Sequence, residues 1–439
     1  MEDKNLQKGW CIALLGDLLD YEQPTKYIVE NTDYSNKYET PVLTAGKSFL
    51  LGYTNETAGI FNNLPVIIFD DFTTAIKFVD FPFKVKSSAM KILVPTNVEV
   101  NIRYVHYFME TLRLNVDTHK RYWISVGALR SIPIAPLAEQ HRIVAKIEEL
   151  FSELDNGIET LNKAKQQLKI YRQAVLKYAF EGKLTNPDVK EGELPEGWDV
   201  RTVADVTESL SQGWSPKCEN KSSANESEWA VITTTAIQHI KFSDKENKVL
   251  PKHLEPRTQH ELVDGDVLIT RAGPRNRVGV CCLVKEPRKR LLNCDKAYRI
   301  KVKRDRVLPS YLVQVLNTSE FLSLIDKCKS GGNDSGLNLT QTVFSSIRIL
   351  IPRKLSEQEI ILGEIESRLS VCDKIEESID QGLKQAEALR QSILKRAFEG
   401  KLVPQDPSDE PASVLLERIK AERAAMNPVK KTSTKKSKA

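Results

Sequence analysis

Between Arg271 and Arg306 thirteen residues are Lys or Arg against three acids, a local excess of ten in a chain whose formal net charge is only +5. Charge of that density suits contact with phosphates, and an Arg fork can read guanine bidentately in a major groove. Arg271, Arg275, Arg277, Lys289, Arg290 and Lys301 are therefore the candidates for DNA contact in the second half, with a solvated basic face as the plainer reading. The small-residue loop 330–338 ends on Asn338, an amide suited to adenine if the loop can approach a base edge. In the first half Lys47, Arg113, His119, Lys120, Arg121 and Tyr122 mix positive charge with an aromatic ring, and Lys47, Arg113, Lys120 and Arg121 are the DNA-binding candidates there. A basic tail carrying Lys430, Lys431, Lys435, Lys436 and Lys438 is expected to be disordered, with non-specific DNA affinity as an added role.

Catalytic patterns are missing. Ala45-Gly46-Lys47-Ser48 imitates the end of a phosphate-binding loop, but Pro41 stands where the first glycine must be. Asn186-Pro187 and Asn427-Pro428 are followed by Asp188 and Val429, not by the second proline and aromatic of an amino-methylation motif. His106, His119, His141, His239, His253 and His260 have no metal-ligand spacing, and no nucleophile elbow occurs. No catalytic residue and no metal site is assigned.

The seven cysteines are odd in number and form no C-x-x-C pair, which fits a reducing, intracellular setting. Met1 to Lys8 lacks the apolar core of a signal peptide, and no stretch approaches the ~18 apolar residues of a membrane span, so a cytoplasmic protein is expected. At 439 residues the chain is too long for one core and predicts two or three domains.

Two copies of one segment position these candidates. Residues 137–184 align with 355–402 at a constant offset of 218 without a gap, and twenty of the forty-eight positions are identical. A weaker match opens each half, where Leu6-Gln7-Lys8-Gly9-Trp10 resembles Leu194-Pro195-Glu196-Gly197-Trp198 at an offset of 188. Between those marks the halves do not align, and the second is thirty residues longer.

Both copies read as helices. Ile143, Ile147, Phe151, Leu154, Ile158, Leu161 and Leu168 recur at spacings of three and four or their sum, as do Ile361, Ile365, Leu369, Cys372, Ile375, Ile379, Leu383, Ala386, Leu389 and Ile393. Ser356-Glu357-Gln358-Glu359 predicts a capping box at the start of the second copy, lost in the first where Ala138 stands. Gly182 and Gly400 predict left-handed C-caps, with Pro187 and Pro404 barring any return. A helix from about 138 to 181 is about 65 Å long, and a stripe that narrow needs a partner of equal length. The copies are expected to pair as an antiparallel coiled coil through Ile147, Leu154, Leu161, Leu168, Ile365, Cys372, Ile379 and Ala386, with the globules at opposite ends. An ordinary core helix or a homodimeric coiled coil is the reading each stripe would suggest alone.

The remaining segments read as α+β: 66–71 and 81–86 in the first half, and 228–234 and 264–271 in the second, are rich in β-branched and aromatic residues bounded by turns.

With the duplication in view, the chain resembles the specificity subunits of Type I restriction-modification enzymes over nearly its whole length. The likeness is carried by the entries Gly9-Trp10 and 194–198, the helix starts 136–140 and 355–358, the exits 179–184 and 397–402, the run 265–271 and the short amphipathic helix expected over 409–419. One departure is Gln7-Lys8 before Gly9, where the pattern has Pro-Glu. The resemblance implies a target-recognition domain at 1–135, a central spacer helix at 136–190, a second target-recognition domain at 191–353, a C-terminal spacer helix with its short amphipathic helix at 354–425, and a tail at 426–439. It implies a pseudo-two-fold internal repeat, with each globule reading one half of a bipartite, asymmetric site in double-stranded DNA. The helices then set the spacer and dock two adenine-methylating subunits, and restriction and translocation subunits join that core. The chain would bind no cofactor, while S-adenosylmethionine, ATP and magnesium act on the other subunits. The competing expectation is a coiled-coil scaffold that binds proteins only, with no direct DNA readout.

Overall fold

The computed structural model describes residues 6–44, 48–114, 121–190 and 192–426. Lys47, His119, Lys120 and the basic tail lie outside the described residues. The chain divides into two compact units, one of residues 1–161 and 381–439, the other of 162–380. Two 44-residue helices, Leu137–Phe180 and Leu355–Phe398, run through this division, so each unit owns part of both.

In the first unit Cys11–Leu14 pairs with Ser131–Ile134, and a four-stranded antiparallel sheet has the order Leu19–Glu22, Met90–Pro95, Val66–Asp70, Ile76–Val79. A three-stranded sheet places Thr40–Leu43 between an antiparallel Leu50–Thr54 and a parallel Lys84–Val85. Val66–Asp70 is buried throughout because its two faces serve two cores. Ile67 and Phe69 pack with Ile143, Ile147 and Phe398 of the long helices, while Val66 and Ile68 pack with Leu43 and Val85 of the small sheet.

The second unit has the same strand order and senses. Trp198–Thr202 pairs with Arg348–Pro352, and the four-stranded sheet runs Thr207–Gln212, Ala297–Val302, Val267–Thr270, Cys281–Leu283. Ala230–Ile232 lies between an antiparallel Asn247–Val249 and a parallel Leu291–Leu292. Val267 and Ile269 face a core with Ile361 and Ile365, and Leu268 faces Ile232 and Leu292. Segments that share no alignable sequence thus adopt one topology, because burial of alternate positions fixes a strand without fixing its residues.

Within each unit the helix segments pair antiparallel. In the first, the Arg390 guanidinium pairs with Asp155 and lies 4.1 Å from the centre of the Phe151 ring. In the second, Lys165 meets Asp380 at 2.6 Å, and Arg172 meets Asp373 at 2.7 Å and Glu376 at 3.0 Å. Of the expected seam, Ile147, Leu168, Ile365, Cys372, Ile379 and Ala386 are buried, and Leu154 and Leu161 are half-buried.

Three expectations need correction. Ile375 and Leu389 are 44% and 52% exposed and lie off the seam. The seam repeats every seven residues at 365, 372, 379, 386 and 393, and its second position, four further on, holds Leu369, Leu383 and Ala397 but also the polar Glu376 and Arg390, whose charges pair across to the other helix. The capping box does not form as expected, because the helix already starts at Leu355, which puts Ser356 inside the first turn and not at the N-cap, while Glu357 and Gln358 bond to the globule. The short C-terminal helix spans Ala412–Met426, beyond the 409–419 segment, and its Leu415, Leu416 and Ile419 join the first unit's core. Among the described residues no helix is long and apolar enough to cross a membrane.

Candidate nucleic-acid interface

Two candidate segments about sixty residues apart in sequence meet in the second unit. Strand Val267–Thr270 exits into Arg271, and the short strand Ala272–Gly273 pairs antiparallel with Leu337–Asn338. Register places Ala272 opposite Asn338, and the Leu339 amide donates to the Arg271 carbonyl at 2.8 Å. Arg271, Arg275 and Asn338 are thereby gathered on one ribbon, with the Asn338 side chain exposed.

The ribbon is stiffened from within. Arg275 donates through Nε to Asp334 at 3.0 Å and through a terminal nitrogen to both Asp326 oxygens at 3.1 Å. Lys329 adds a 2.9 Å bond to Asp326, and chiefly this ammonium, with Arg275, holds the Asp326 carboxyl below the usual carboxylate range. Arg271 sends Nε to the Asp295 carbonyl at 2.7 Å and lies 5.8 Å from the Tyr298 ring centre. An open groove of about 550 Å³ runs beside Arg275, lined also by His239, Asn276, Asp326, Lys329 and Asp334. Sequence reading missed Asp326 and Asp334 because it searched for cations and amides, and missed Lys329 because it lies outside the dense run 271–306; all three act through their bonds around Arg275.

Part of the basic run holds the loops together. Arg277 donates to the Thr234 and Ile237 carbonyls, the latter at 2.6 Å. Arg288 bonds Ser223 and the Glu228 carbonyl, and Arg299 donates at 2.8 Å to the carbonyls of Glu261 and Gln259. Arg forks satisfy backbone acceptors that irregular loops leave without partners. Arg290, exposed, donates to the Ser227 carbonyl, and Lys289 is exposed beside it on the turn before Leu291–Leu292. Lys301 is exposed on strand Ala297–Val302, opposite Ser209. These three are not on the ribbon.

In the first unit the strand Val66–Asp70 exits into Asp71, whose carboxylate accepts the Trp123 amide at 2.8 Å and meets Lys91 at 3.4 Å. The exposed Arg121 sits two residues before Trp123, and the exposed Arg113 precedes the segment 115–120, which is outside the described residues.

The helix pair carries two grooves at equivalent positions. One, about 410 Å³, is lined by Leu150, Glu153, Leu154 and Leu389, and the other, about 470 Å³, by Arg368, Val371, Cys372 and Tyr171. Each pair of positions differs by 218, the offset of the sequence repeat. The exposed Ile375 lines the second groove. Among the described residues no group of three or more His, Cys, Asp or Glu is arranged to hold a metal ion.

No family model matches the sequence. The chain is 34% identical over 396 residues to the Type I restriction enzyme EcoR124I/EcoR124II specificity subunit of Escherichia coli, a match covering 86% of this chain and 90% of that one. It is 36% identical over 220 residues to the EcoEI specificity subunit of Escherichia coli, covering 48% of this chain but only 37% of that protein, well under two thirds of its length. Identity to the EcoKI specificity subunit of Escherichia coli strain K12 is 31% over 320 residues, or 70% of this chain and 67% of that protein. Among solved structures, one described as the structural basis underlying complex assembly and conformational transition of the type I R-M system superposes with a TM-score of 0.65 at 16% identity, covering 90% of this chain and 99% of that one. The HsdS subunit from Thermoanaerobacter tengcongensis gives 0.52 at 16% identity, covering 90% and 98%. At that identity the structures establish the fold alone.

Proposed function

The chain belongs to the Type I restriction enzyme specificity subunits, and on that premise we propose that each of its globules reads one half of a bipartite, asymmetric DNA site. It is the non-catalytic subunit of its complex. The two long helices set the spacer between the half-sites and dock two adenine-N6 methyltransferase subunits, to which restriction and translocation subunits are added. The two halves form an internal repeat related by a pseudo-two-fold axis, divided into the five segments that the motifs mark out. S-adenosylmethionine, ATP and magnesium are used by the partner subunits and not by this chain.

The observation that carries this reading is the pairing of Ala272 with Asn338, which joins the basic segment to the amide-bearing loop on one exposed ribbon. Arg271 and Arg275 supply phosphate or guanine contacts there, Asn338 an adenine contact, and Lys289, Arg290 and Lys301 outlying charge. Arg277 acts by shaping the ribbon through its bonds to Thr234 and Ile237. In the first globule Lys47, Arg113, Lys120 and Arg121 take the corresponding part. Two equivalent grooves favour two copies of one partner, as closed pseudo-symmetric contacts require. A protein-only scaffold would need neither the ribbon nor the arginines it carries.

The test is to assemble the chain with its methyltransferase subunits, map the methylated adenines, and titrate DNA binding against salt. One lost phosphate contact lowers the salt slope by about 0.9, making the fall in affinity from 50 to 200 mM about 3.5-fold shallower. Arg271→Ala or Arg275→Ala showing that change, or a relaxed base preference in one half-site, supports the reading. An unchanged salt profile with unchanged site preference refutes it, and methyl transfer by the purified chain alone refutes the non-catalytic assignment.

A further inference from the structure

The same bond stands at the root of both globules. The Trp10 indole Nε1 donates to the Glu139 carboxylate at 3.1 Å, and Trp198 Nε1 donates to Glu357 at 2.9 Å. Each Trp enters its globule, and each Glu lies on the first turn of the long helix that leaves it. The neighbouring glutamine repeats the pattern, Gln140 Nε2 donating to the Ala135 carbonyl at 2.8 Å and Gln358 Nε2 to the Pro352 carbonyl at 3.1 Å. Gln358 reaches further into its globule, accepting the Leu308 amide and donating to the Arg306 carbonyl, both at 2.9 Å. Glu357 also accepts Thr185 Oγ1 at 2.7 Å and Asn186 Nδ2 at 3.3 Å. Trp10, Trp198, Glu139, Gln140 and Gln358 are all buried.

A rigid helix determines the interval between two readers only if neither reader can pivot where it joins the helix. For a globule of radius about 20 Å, whose far edge lies about 40 Å from the joint, a swing of about 5° moves that edge by about 3.5 Å, one base-pair step. Core packing is non-directional and tolerates small rotations, whereas a short buried hydrogen bond to a carboxylate fixes direction as well as distance. We propose that Trp10–Glu139 and Trp198–Glu357, each backed by the adjacent glutamine, are positioning pairs that fix the angle between globule and helix and so make the subunit discriminate spacer length. This rests on the bipartite reading given above. The residues touch neither bases nor phosphates; they act through the globules they hold.

The experiment uses the complex with the methyltransferase subunits and duplexes carrying the mapped site, with the spacer native, one base pair shorter or one longer. Trp198→Phe keeps a ring and removes the donor, and is expected to lose roughly tenfold in discrimination between spacers, the worth of one hydrogen bond to a charged acceptor. The penalty for a mismatched base in either half-site stays unchanged. Glu357→Gln retains a carbonyl acceptor for the indole and keeps the native spacer preference. Trp198→Phe with native spacer discrimination overturns the proposal, as does a parallel loss of spacer and base discrimination. If Trp198→Phe does not assemble, Trp10→Phe removes the donor of the equivalent pair at the other root, and an unchanged spacer profile there overturns the proposal equally. A wild-type complex that methylates no defined site refutes the bipartite reading itself and this inference with it.

Discussion

Replacing Gly182 and Gly400 by alanine should cost unequal amounts of stability, although the two occupy the same place in the sequence repeat. Both end a 44-residue helix in the left-handed region, with φ of +77° and +67°. Both close it by the same backbone pattern: Gly182 N–H to the Ala179 carbonyl at 3.1 Å and Lys183 N–H to Tyr178 at 3.0 Å, matched by Gly400 to Ala397 at 3.1 Å and Lys401 to Arg396 at 2.8 Å. A side chain in that conformation costs about 1–2 kcal/mol at either site. The surroundings then separate them. A Cβ on Gly182 overlaps Cγ of Pro195 and stands 3.1 Å from its Cβ, and a proline ring cannot swing aside, which adds about 1–3 kcal/mol of overpacking. A Cβ on Gly400 overlaps Cγ of Gln7, a flexible chain that can move at the expense of its 3.2 Å bond to the Glu399 carbonyl, about 0.5–1.5 kcal/mol. Gly182→Ala is expected to lose about 2–5 kcal/mol and Gly400→Ala about 1.5–3.5. A chain of two compact units need not unfold in one step, so the assay is native-state hydrogen exchange read on peptides spanning each helix end. Equal losses, or a greater loss at Gly400, would refute the argument that a rigid neighbour decides the cost.

Three other outcomes follow from the packing. Ile365→Ala, at a seam position 1% exposed, should cost about 2–4 kcal/mol, and Ile375→Ala, 44% exposed, less than about 0.5, as read from native-state hydrogen exchange on peptides of the helix Leu355–Phe398; comparable losses would show that the seven-residue seam is misassigned. Ile419→Ala should open a cavity under the C-terminal helix and speed exchange in the first unit's strands while leaving Val267–Thr270 in the second unchanged, because Ile419, Leu415 and Leu416 belong to the first core. Burial pushes the Glu139 carboxyl upward, against the opposing bonds from Trp10 and Gln405, so its contribution to stability is fully present below the ordinary carboxylate pKa and is lost as pH rises through the raised one. Glu139→Gln should therefore gain relative to wild type as pH is raised from about 4 towards neutrality, and a flat difference across that range would count against it.

What could be read in the sequence follows the range over which each constraint acts. The helices were legible because apolar spacing, the left-handed glycines and the barring prolines are local, and duplication supplied the partner. The seam was blurred at Ile375 and Leu389 because a hydrophobic count prefers the nearest apolar residue, while the structure uses Glu376 and Arg390 with an opposite charge across the seam. Residues 356–359 were read as a local capping box, with Glu357 and Gln358 only its interior, because nothing nearby shows that Trp198, 159 residues from Glu357, needs an acceptor. Arg271 and Asn338 were singled out separately; their pairing through Ala272 depends on strand register, which composition does not encode. Arginine density overstated the free charge, since Arg277, Arg288 and Arg299 are engaged by carbonyls of loops far off in sequence.

The two globules hold the same strand at their centre, yet leave it with opposite chemistry. After Val66–Asp70 comes Asp71, 2% exposed, neutralised by Lys91 and capping the Trp123 amide, so the exit in the first unit is closed and turned inward. After Val267–Thr270 comes Arg271, half-buried, stacked near Tyr298 and leading onto the exposed ribbon with Asn338. An acid held beneath the surface repels no phosphate and offers no fork to guanine, whereas an arginine at the rim can do either. Identical readers would require the same residue type at the same exit. The expectation of unlike half-sites, drawn from halves that do not align, thus gains a specific position to test, and the two halves of the mapped site should differ in the base pair nearest it.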